Sequence, residues 1–274
     1  MFRRILDFER ANPLITVLVG TLLLLAPGAK AAEKDVLSAV VAIEAQIPKD
    51  ARTASFLGTQ RQGSGVLIDE EGIILTVGYL ILEAESALIT GPEGKQISAT
   101  VIAYDHETGF GLLRLIQKLD AAPMQLGNSS RLRERDQVLI AARRGQQPIS
   151  AASVVSRRVF TGYWEYMVER AIFTMPPHEF HSGAALIGED GRLLGIGSLL
   201  VNDALAPNVP SPGNMFIPVN DLKPILADLL RSGRRAGPKR PWIGVNTFEA
   251  NGRLFVTRVT DNGPADNAGI KVGD

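Results

Sequence analysis

Pairs of short apolar runs joined by acidic glycine turns recur along the chain, and they constrain its fold more than any other feature. Three such pairs are GVLIDEEGIILTV from Gly65, SALITGPEGKQISATVIAY from Ser86 and ALIGEDGRLLGIGSLLV from Ala185. Glycine supplies the positive φ that tight hairpins need, and the β-branched residues on either side favour strands. Many short strands with little helix between them predict a closed or sandwiched antiparallel β architecture rather than a parallel α/β sheet.

One helix is marked after the last of these runs, in the segment NDLKPILADLLRSG from Asn220. Asn220 is a candidate N-cap, Pro224 falls in the first turn and Gly233 is a stop signal. The apolar positions that this helix places on one face are Leu222, Ile225, Leu226, Leu229 and Leu230. We therefore predict a helix that closes the β domain.

The chain divides by composition into four parts. Residues 234–240 are basic and rich in glycine and proline, which predicts a linker between a domain over residues 32–233 and a second strand-rich segment over 241–274. Residues 1–31 combine a basic start, an apolar run from Pro13 to Ala26 and the small-x-small sequence Ala29-Lys30-Ala31. This pattern predicts a secretory signal peptide and a periplasmic protein, with an uncleaved membrane anchor as the alternative.

The residue counts exclude several classes of function. The chain has no cysteine, which excludes a thiol nucleophile, a disulfide and a thiolate metal site. Lys and Arg total 29 and so do Asp and Glu, so no net charge draws the protein to nucleic acid. The arginines are dispersed as pairs, and we interpret these pairs as solvated surface: Arg3-Arg4, Arg143-Arg144, Arg157-Arg158 and Arg234-Arg235. No cofactor is expected.

Six segments, in this order, resemble those of the HtrA (DegP-like) proteins. They are QGSGVLIDEEGIILT, VIAYDHETGFGLLRL, LGNSSRLRERDQVLIA, HSGAALIGEDGRLLGIGS, NMFIPVNDLKPILADLLRSG and VTDNGPADNAGIKVGD. Members of that family join a chymotrypsin-type protease to one or two PDZ domains. The resemblance implies an all-β fold, a chymotrypsin-like double β-barrel followed by the N-terminal part of a PDZ domain.

The resemblance also assigns the positions of a Ser-His-Asp triad, and two of the three residues are replaced. Ser182 stands at the nucleophile position, Tyr79 at the histidine position and Gly109 at the aspartate position. A phenol, with a reference pKa of about 10, stays protonated near neutral pH and is no equivalent base. Phe180 occupies the oxyanion-hole position where the family has glycine, and its side chain disfavours the glycine-like turn. These replacements predict a pseudoprotease.

The chain has three histidines that bear on the alternative, a serine endopeptidase with a non-standard base. His181 adjoins Ser182, and its side chain is expected to point elsewhere. His106 and His178 lie on loops near the expected cleft and are the two candidate bases. The sequence HEFH lacks the spacing of the helical His-Glu-x-x-His zinc motif, so no metal site is predicted.

Two further features bear on binding. Trp242, Ile243, Gly244 and Val245 resemble the PDZ loop whose amides receive a peptide carboxylate, although the sequence given stops at KVGD, before the other wall of the groove. A loop containing Tyr163, Trp164 and Tyr166 either anchors a partner or packs on the barrel.

The expectation is an exported, non-catalytic HtrA homologue that binds peptides or unfolded proteins, or that regulates an active paralogue by mixed assembly. The resemblance implies a trimer as the assembly common in the family. An active serine endopeptidase of envelope protein quality control is one alternative, and a structural remnant without a binding role is another.

Overall fold

The computed structural model of the chain describes residues 36–145, 147–162, 167–238 and 241–274. The predicted signal peptide over residues 1–31 lies outside the described residues, as do Arg3, Arg4 and the aromatic loop residues Tyr163, Trp164 and Tyr166.

The first half of the described chain forms a closed six-stranded antiparallel barrel, in the strand order β1-β2-β3-β6-β5-β4. Residues that alternate along each strand turn inward, and Ile43, Ile73 and Phe110 are fully buried in its centre. A short helix, α1 (Ala54–Leu57), lies between the first two strands. The strands are β1 (Val40–Gln46), β2 (Gln60–Leu67), β3 (Ile73–Val77), β4 (Ser86–Thr90), β5 (Gln96–Tyr104) and β6 (Phe110–Leu115).

The second half repeats the arrangement as another closed barrel, in the order β10-β11-β12-β9-β8-β7. Phe173 and Phe216 are its largest fully buried side chains. All three hairpins expected from the acidic glycine turns are present, as β2–β3, β4–β5 and β10–β11. The strands are β7 (Gln137–Ala141), β8 (Ile149–Thr161), β9 (Met167–Met175), β10 (Ala185–Ile187), β11 (Leu193–Val201) and β12 (Gly213–Pro218).

The helix predicted from Asn220 is shorter than expected. A 3-10 turn over Val219–Asp221 comes first, and the α-helix α2 runs only over Leu226–Ser232. The Asn220 side chain does not cap it, because its Oδ1 accepts from the Ser129 amide at 3.2 Å and its Nδ2 donates to Asn128 Oδ1 at 2.8 Å. The end of the helix is as predicted, since Gly233 adopts a φ of 70° and donates its amide to the Leu229 carbonyl.

The interpretation of the arginine pairs as solvated surface is wrong for the pair Arg157-Arg158. Arg157 donates to the carbonyls of Ser129, Leu132 and Arg170, and Arg158 donates to those of Asp203 and Ala204. A guanidinium carries five donors in a planar fork, so one arginine can satisfy several turn carbonyls that strands leave unpaired. The spacing of the arginines along the chain does not reveal that their guanidinium groups bind turn carbonyls.

The segment predicted to be a linker also makes fixed contacts with the first barrel's loops through one residue, Arg235. Arg235 places its Nε and Nη2 each 2.9 Å from the Asp105 carboxylate and its Nη1 2.6 Å from Glu107 Oε2. Asp105 is only 4% exposed. The start of the linker is therefore held against the loop that precedes β6.

The residues after the linker form a hairpin and a short helix, namely β13 (Val245–Ala250), β14 (Arg253–Val259) and α3 (Pro264–Asn267). Neither strand of this hairpin contains a buried residue, and Phe248, Leu254 and Phe255 are exposed. Across the described part of the chain, no helix has both the length and the apolar character needed to span a membrane.

Candidate functional site

The segments that the resemblance singles out meet where the two barrels face each other. Tyr79 lies in the 3-10 turn Gly78–Leu80 that follows β3, and Gly109 lies directly before β6. Ser182 lies in the connection from β9 to β10, whose residues 178–184 we call the serine turn. The Gly78 amide donates to the Gly109 carbonyl at 2.7 Å, so both segments from the first barrel are held side by side.

The serine turn is fastened to β2 of the first barrel. The Ser64 amide donates to the Ser182 carbonyl at 2.8 Å, and the Ser64 carbonyl accepts from Thr76 Oγ1 at 2.7 Å. Gly183 has a φ of 73°, and a Cβ at this position would lie 1.9 Å from the Ser64 carbonyl oxygen. Only glycine combines this backbone conformation with this close approach, which explains the Ser-Gly pair that the sequence carries.

Tyr79 and Ser182, 103 residues apart in sequence, are in direct contact. The Tyr79 hydroxyl oxygen lies 2.7 Å from Ser182 Oγ and 2.7 Å from the carbonyl oxygen of Ser198. A phenol has one proton and a carbonyl oxygen can only accept, so when both bonds form, Tyr79 donates to Ser198 and Ser182 donates to Tyr79. The serine proton then points at a neutral phenol oxygen, which does not take a proton at neutral pH.

The loop at the aspartate position offers no carboxylate to orient a base. Gly109 has a φ of 79° and no side chain. Asp105, four residues earlier, accepts hydrogen bonds from the amide and hydroxyl of Thr108 and from the Arg235 fork. Its oxygens are therefore committed to its own loop and to the linker. Sequence resemblance did not indicate a role for Arg235, because its contact with Asp105 joins residues 130 positions apart.

His178, one of the two candidate bases, is buried away from Ser182. Its Nδ1 lies 3.2 Å from Ser150 Oγ, and its backbone amide and carbonyl are both bonded to the Asn214 side chain. Burial lowers the pKa of His178, and the neighbouring His181 lowers it further. The ring is therefore held neutral near pH 7 as a packed side chain.

The other two histidines also make contacts elsewhere. His106 is exposed and packs edge to face on the Tyr104 ring, with the ring centroids 4.4 Å apart. His181 Nδ1 lies 3.0 Å from the Glu179 carbonyl oxygen, and burial lowers the pKa of His181. Among the described residues, the only side-chain hydrogen-bond partner of Ser182 Oγ is Tyr79. No three His, Asp or Glu side chains in this part of the chain come together as metal ligands.

Phe180 builds the oxyanion position differently from a glycine. Its backbone lies outside the left-handed region, and its ring rests on Gly145, where an added Cβ would lie 2.2 Å from a ring carbon. Within the described residues, the amides of Phe180 and Ser182 donate to no protein acceptor. Both amides thus lack an acceptor within the described residues, and the turn forms without the left-handed backbone conformation that favours glycine.

The four residues assigned to peptide binding lie before and at the start of β13. Trp242 and Ile243 are exposed, and Gly244 has a φ of 80°. The carbonyls of Ile243 and Gly244 accept from the amides of Ala265 and Thr260, whereas the amides of Ile243 and Gly244 donate to no acceptor in the described chain. The loop therefore presents amide donors, as the carboxylate-binding assignment requires, and that assignment stays a prediction.

Comparison with known proteins places this geometry in context. A family model described as a trypsin-like peptidase domain matches residues 63–196. The chain is 27% identical over 252 residues to a probable periplasmic serine endoprotease, DegP-like, of Pseudomonas fulva, with 84% of this chain and 50% of that protein covered. It is 26% identical over 223 residues to the serine endoprotease DegS of Haemophilus influenzae, with 77% and 63% covered. The chain thus spans between half and two thirds of the length of these relatives.

Among solved structures, the chain is similar to an HtrA-type protease, AlgW, with a bound tripeptide. The TM-score is 0.61 at 22% sequence identity, over 89% of this chain and 80% of that one. This likeness bears on the fold, and together with the two closed barrels it confirms the predicted chymotrypsin-like double barrel.

Proposed function

We propose that this chain, which belongs to the trypsin-fold proteins of the HtrA type, is a pseudoprotease that binds peptides or unfolded proteins without cutting them. The observation that carries the proposal is the contact of Ser182 Oγ with the Tyr79 hydroxyl at 2.7 Å. Acyl transfer by serine requires a group that takes the hydroxyl proton as the oxygen attacks. Tyr79 occupies the space of that group and lacks its basicity.

Several features favour retained binding. Both barrels are closed, the serine turn is pinned to Ser64, and the amides of Phe180 and Ser182 have no protein acceptor among the described residues. The open amides of Ile243 and Gly244 favour a second peptide contact in the loop before β13. Regulation of an active paralogue by mixed assembly, or a homotrimer, is compatible with the same surfaces.

We also propose that the protein is exported to the periplasm by the segment over residues 1–31. The support is the sequence pattern of that segment together with relatives whose names place them in the periplasm. We expect N-terminal sequencing of the mature protein to begin after Ala31. A mature chain that still begins at Met1 and sediments with membranes would instead support an anchor.

The pseudoprotease proposal predicts the outcome of active-site labelling. A fluorophosphonate probe reacts with activated serines, so we expect labelling of the wild-type protein to equal that of the Ser182→Ala variant. A member of the family with an intact triad serves as the positive control, and casein cleavage is measured in parallel. Stoichiometric labelling at Ser182 would contradict the proposal and favour an active endopeptidase with a non-standard base.

A further inference from the structure

The serine turn is covered on one side by residues 143–145, which follow β7. The Arg143 amide donates to Ser64 Oγ at 3.0 Å, and Ser64 in turn holds the Ser182 carbonyl. Two residues on, Gly145 supports the ring of Phe180. The segment therefore touches the site twice through fixed contacts, which place the backbone of Arg143 next to the serine turn.

The Arg143 guanidinium is unlike the other buried guanidinium groups of the chain. Its Nε and Nη2 are buried, and no hydrogen-bond partner for the side chain exists among the described residues. Arg61, in contrast, donates to three carbonyls and to Thr53 Oγ1. Arg157 and Arg158 also donate to carbonyls, and the Arg158 guanidinium lies 3.6 Å above the Phe173 ring.

Within the described residues, no carboxylate compensates this cation either. Burial alone lowers the pKa of Arg143, with no contribution from a neighbouring carboxylate. Arg143 as a residue is half-buried, but buried donors such as its Nε and Nη2 are nearly always paired in native proteins, so the group calls for a partner. The anchoring of residues 143–145 does not explain the unpaired guanidinium, because the backbone amide of Arg143, and not its side chain, bonds to Ser64.

We propose that Arg143 is the receptor for a carboxylate group of a peptide bound beside the serine turn. A guanidinium pairs with a carboxylate through charge-assisted hydrogen bonds, and the serine turn that residues 143–145 contact has two amides without a protein acceptor among the described residues, those of Phe180 and Ser182. This assignment rests on the proposed peptide-binding function and specifies its ligand class. The carboxylate belongs either to an acidic side chain or to a peptide C-terminus.

Three versions of one N-acetylated decapeptide of alanine, leucine and serine separate these sources. One version carries a single internal glutamate and an amidated C-terminus, the second has glutamine and a free C-terminus, and the third has glutamine and an amidated C-terminus. Binding is measured by isothermal titration calorimetry on full-length protein with Ser182→Ala, so that cleavage cannot consume the peptide. Labelling of wild-type Ser182 is scored separately, which keeps failure of this assignment distinct from failure of the pseudoprotease proposal.

We expect at least one carboxylate version to bind about tenfold more tightly than the neutral version, as charge-assisted hydrogen bonds predict. The peptide version that binds more tightly than the neutral version identifies the source of the carboxylate. Arg143→Met is expected to abolish this difference, whereas Arg144→Met, which removes the same charge one residue away, is expected to keep it. The assignment is overturned if the parent binds all versions alike, including not at all, or if Arg143→Met keeps the difference.

Thermal unfolding supplies a second readout that does not depend on a peptide. Methionine keeps the apolar stem of Arg143 and removes the unpaired charge, so Arg143→Met is expected to unfold at the same or a higher temperature than the parent. A marked fall in the unfolding temperature would show that the guanidinium stabilises the protein itself, and it would overturn the assignment to a ligand.

Discussion

Restoring the two missing triad residues is expected to leave the protein nearly inactive. The Tyr79→His and Gly109→Asp double variant regains the residue types of a proton relay, but three features oppose its operation. An imidazole nitrogen lies nearer its own Cβ than a phenol oxygen does, so a histidine on the Tyr79 backbone ends short of Ser182 Oγ unless the ring turns. Aspartate at position 109 must adopt a φ of 79°, which is uncommon outside glycine.

The third feature is Phe180 in the serine turn, which stands at the position that the resemblance assigns to the oxyanion hole. It sets the size of the expected effect on turnover. Loss of one oxyanion donor lowers turnover by about a hundredfold to a thousandfold. Adding Phe180→Gly to the double variant should therefore raise casein cleavage above that of the double variant, because the turn no longer follows the phenyl ring packed on Gly145.

The triple variant with Ser182→Ala defines the background of this assay, and circular dichroism verifies that each variant is folded. A double variant that cleaves casein as fast as an active HtrA-type protease would show that the turn at Phe180 already forms an oxyanion hole. The arguments from the reach of a histidine at position 79, from the backbone at position 109 and from Phe180 would then all be wrong, whereas the argument that the Tyr79 phenol is no base would stand.

Asp105→Ala is expected to lower the free energy of unfolding by about 3–5 kcal/mol, since it removes the buried carboxylate of an ion pair and leaves the amide and hydroxyl of Thr108 without their acceptor. The carboxylate is 4% exposed and accepts four hydrogen bonds, two from Thr108 and two from the Arg235 fork. Its loss weakens the loop that carries Gly109 and leaves the start of the linker held to that loop by the contact of Arg235 with Glu107. Urea denaturation followed by fluorescence measures the change.

Asp190→Ala is the matched control, because it removes a carboxylate from an exposed ion pair. The Asp190 side chain is 62% exposed and lies 3.9 Å from Arg192 Nε. Such pairs contribute at most about 1 kcal/mol. Equal losses for the two variants would mean that burial of Asp105 and its fork with Arg235 add nothing to stability.

The pattern of the sequence was enough to predict a closed or sandwiched antiparallel β architecture, because hairpin signals and strand patterns are local, and the family resemblance specified it as a double barrel. Each acidic glycine turn lies between the two runs it joins, and the alternation of buried residues follows from the two-residue period of a strand. Local signals were less complete at the helix after β12, where Pro224 and the competing use of the Asn220 side chain delayed the start to Leu226. The stop at Gly233 required no distant contact and was predicted correctly.

Sequence resemblance also supplied candidates for the catalytic positions, but it did not show what these residues touch. The bond from Tyr79 to the Ser198 carbonyl, the commitment of Asp105 to Arg235 and the burial of Arg143 without a partner join elements far apart in sequence. Whether an arginine is solvated or buried depends on which turn closes over it. The pattern of the chain thus determined the antiparallel β architecture, and the resemblance supplied the double barrel and the candidate site residues, whereas only the tertiary packing decided how the remaining polar groups pair, because those contacts join segments far apart in sequence.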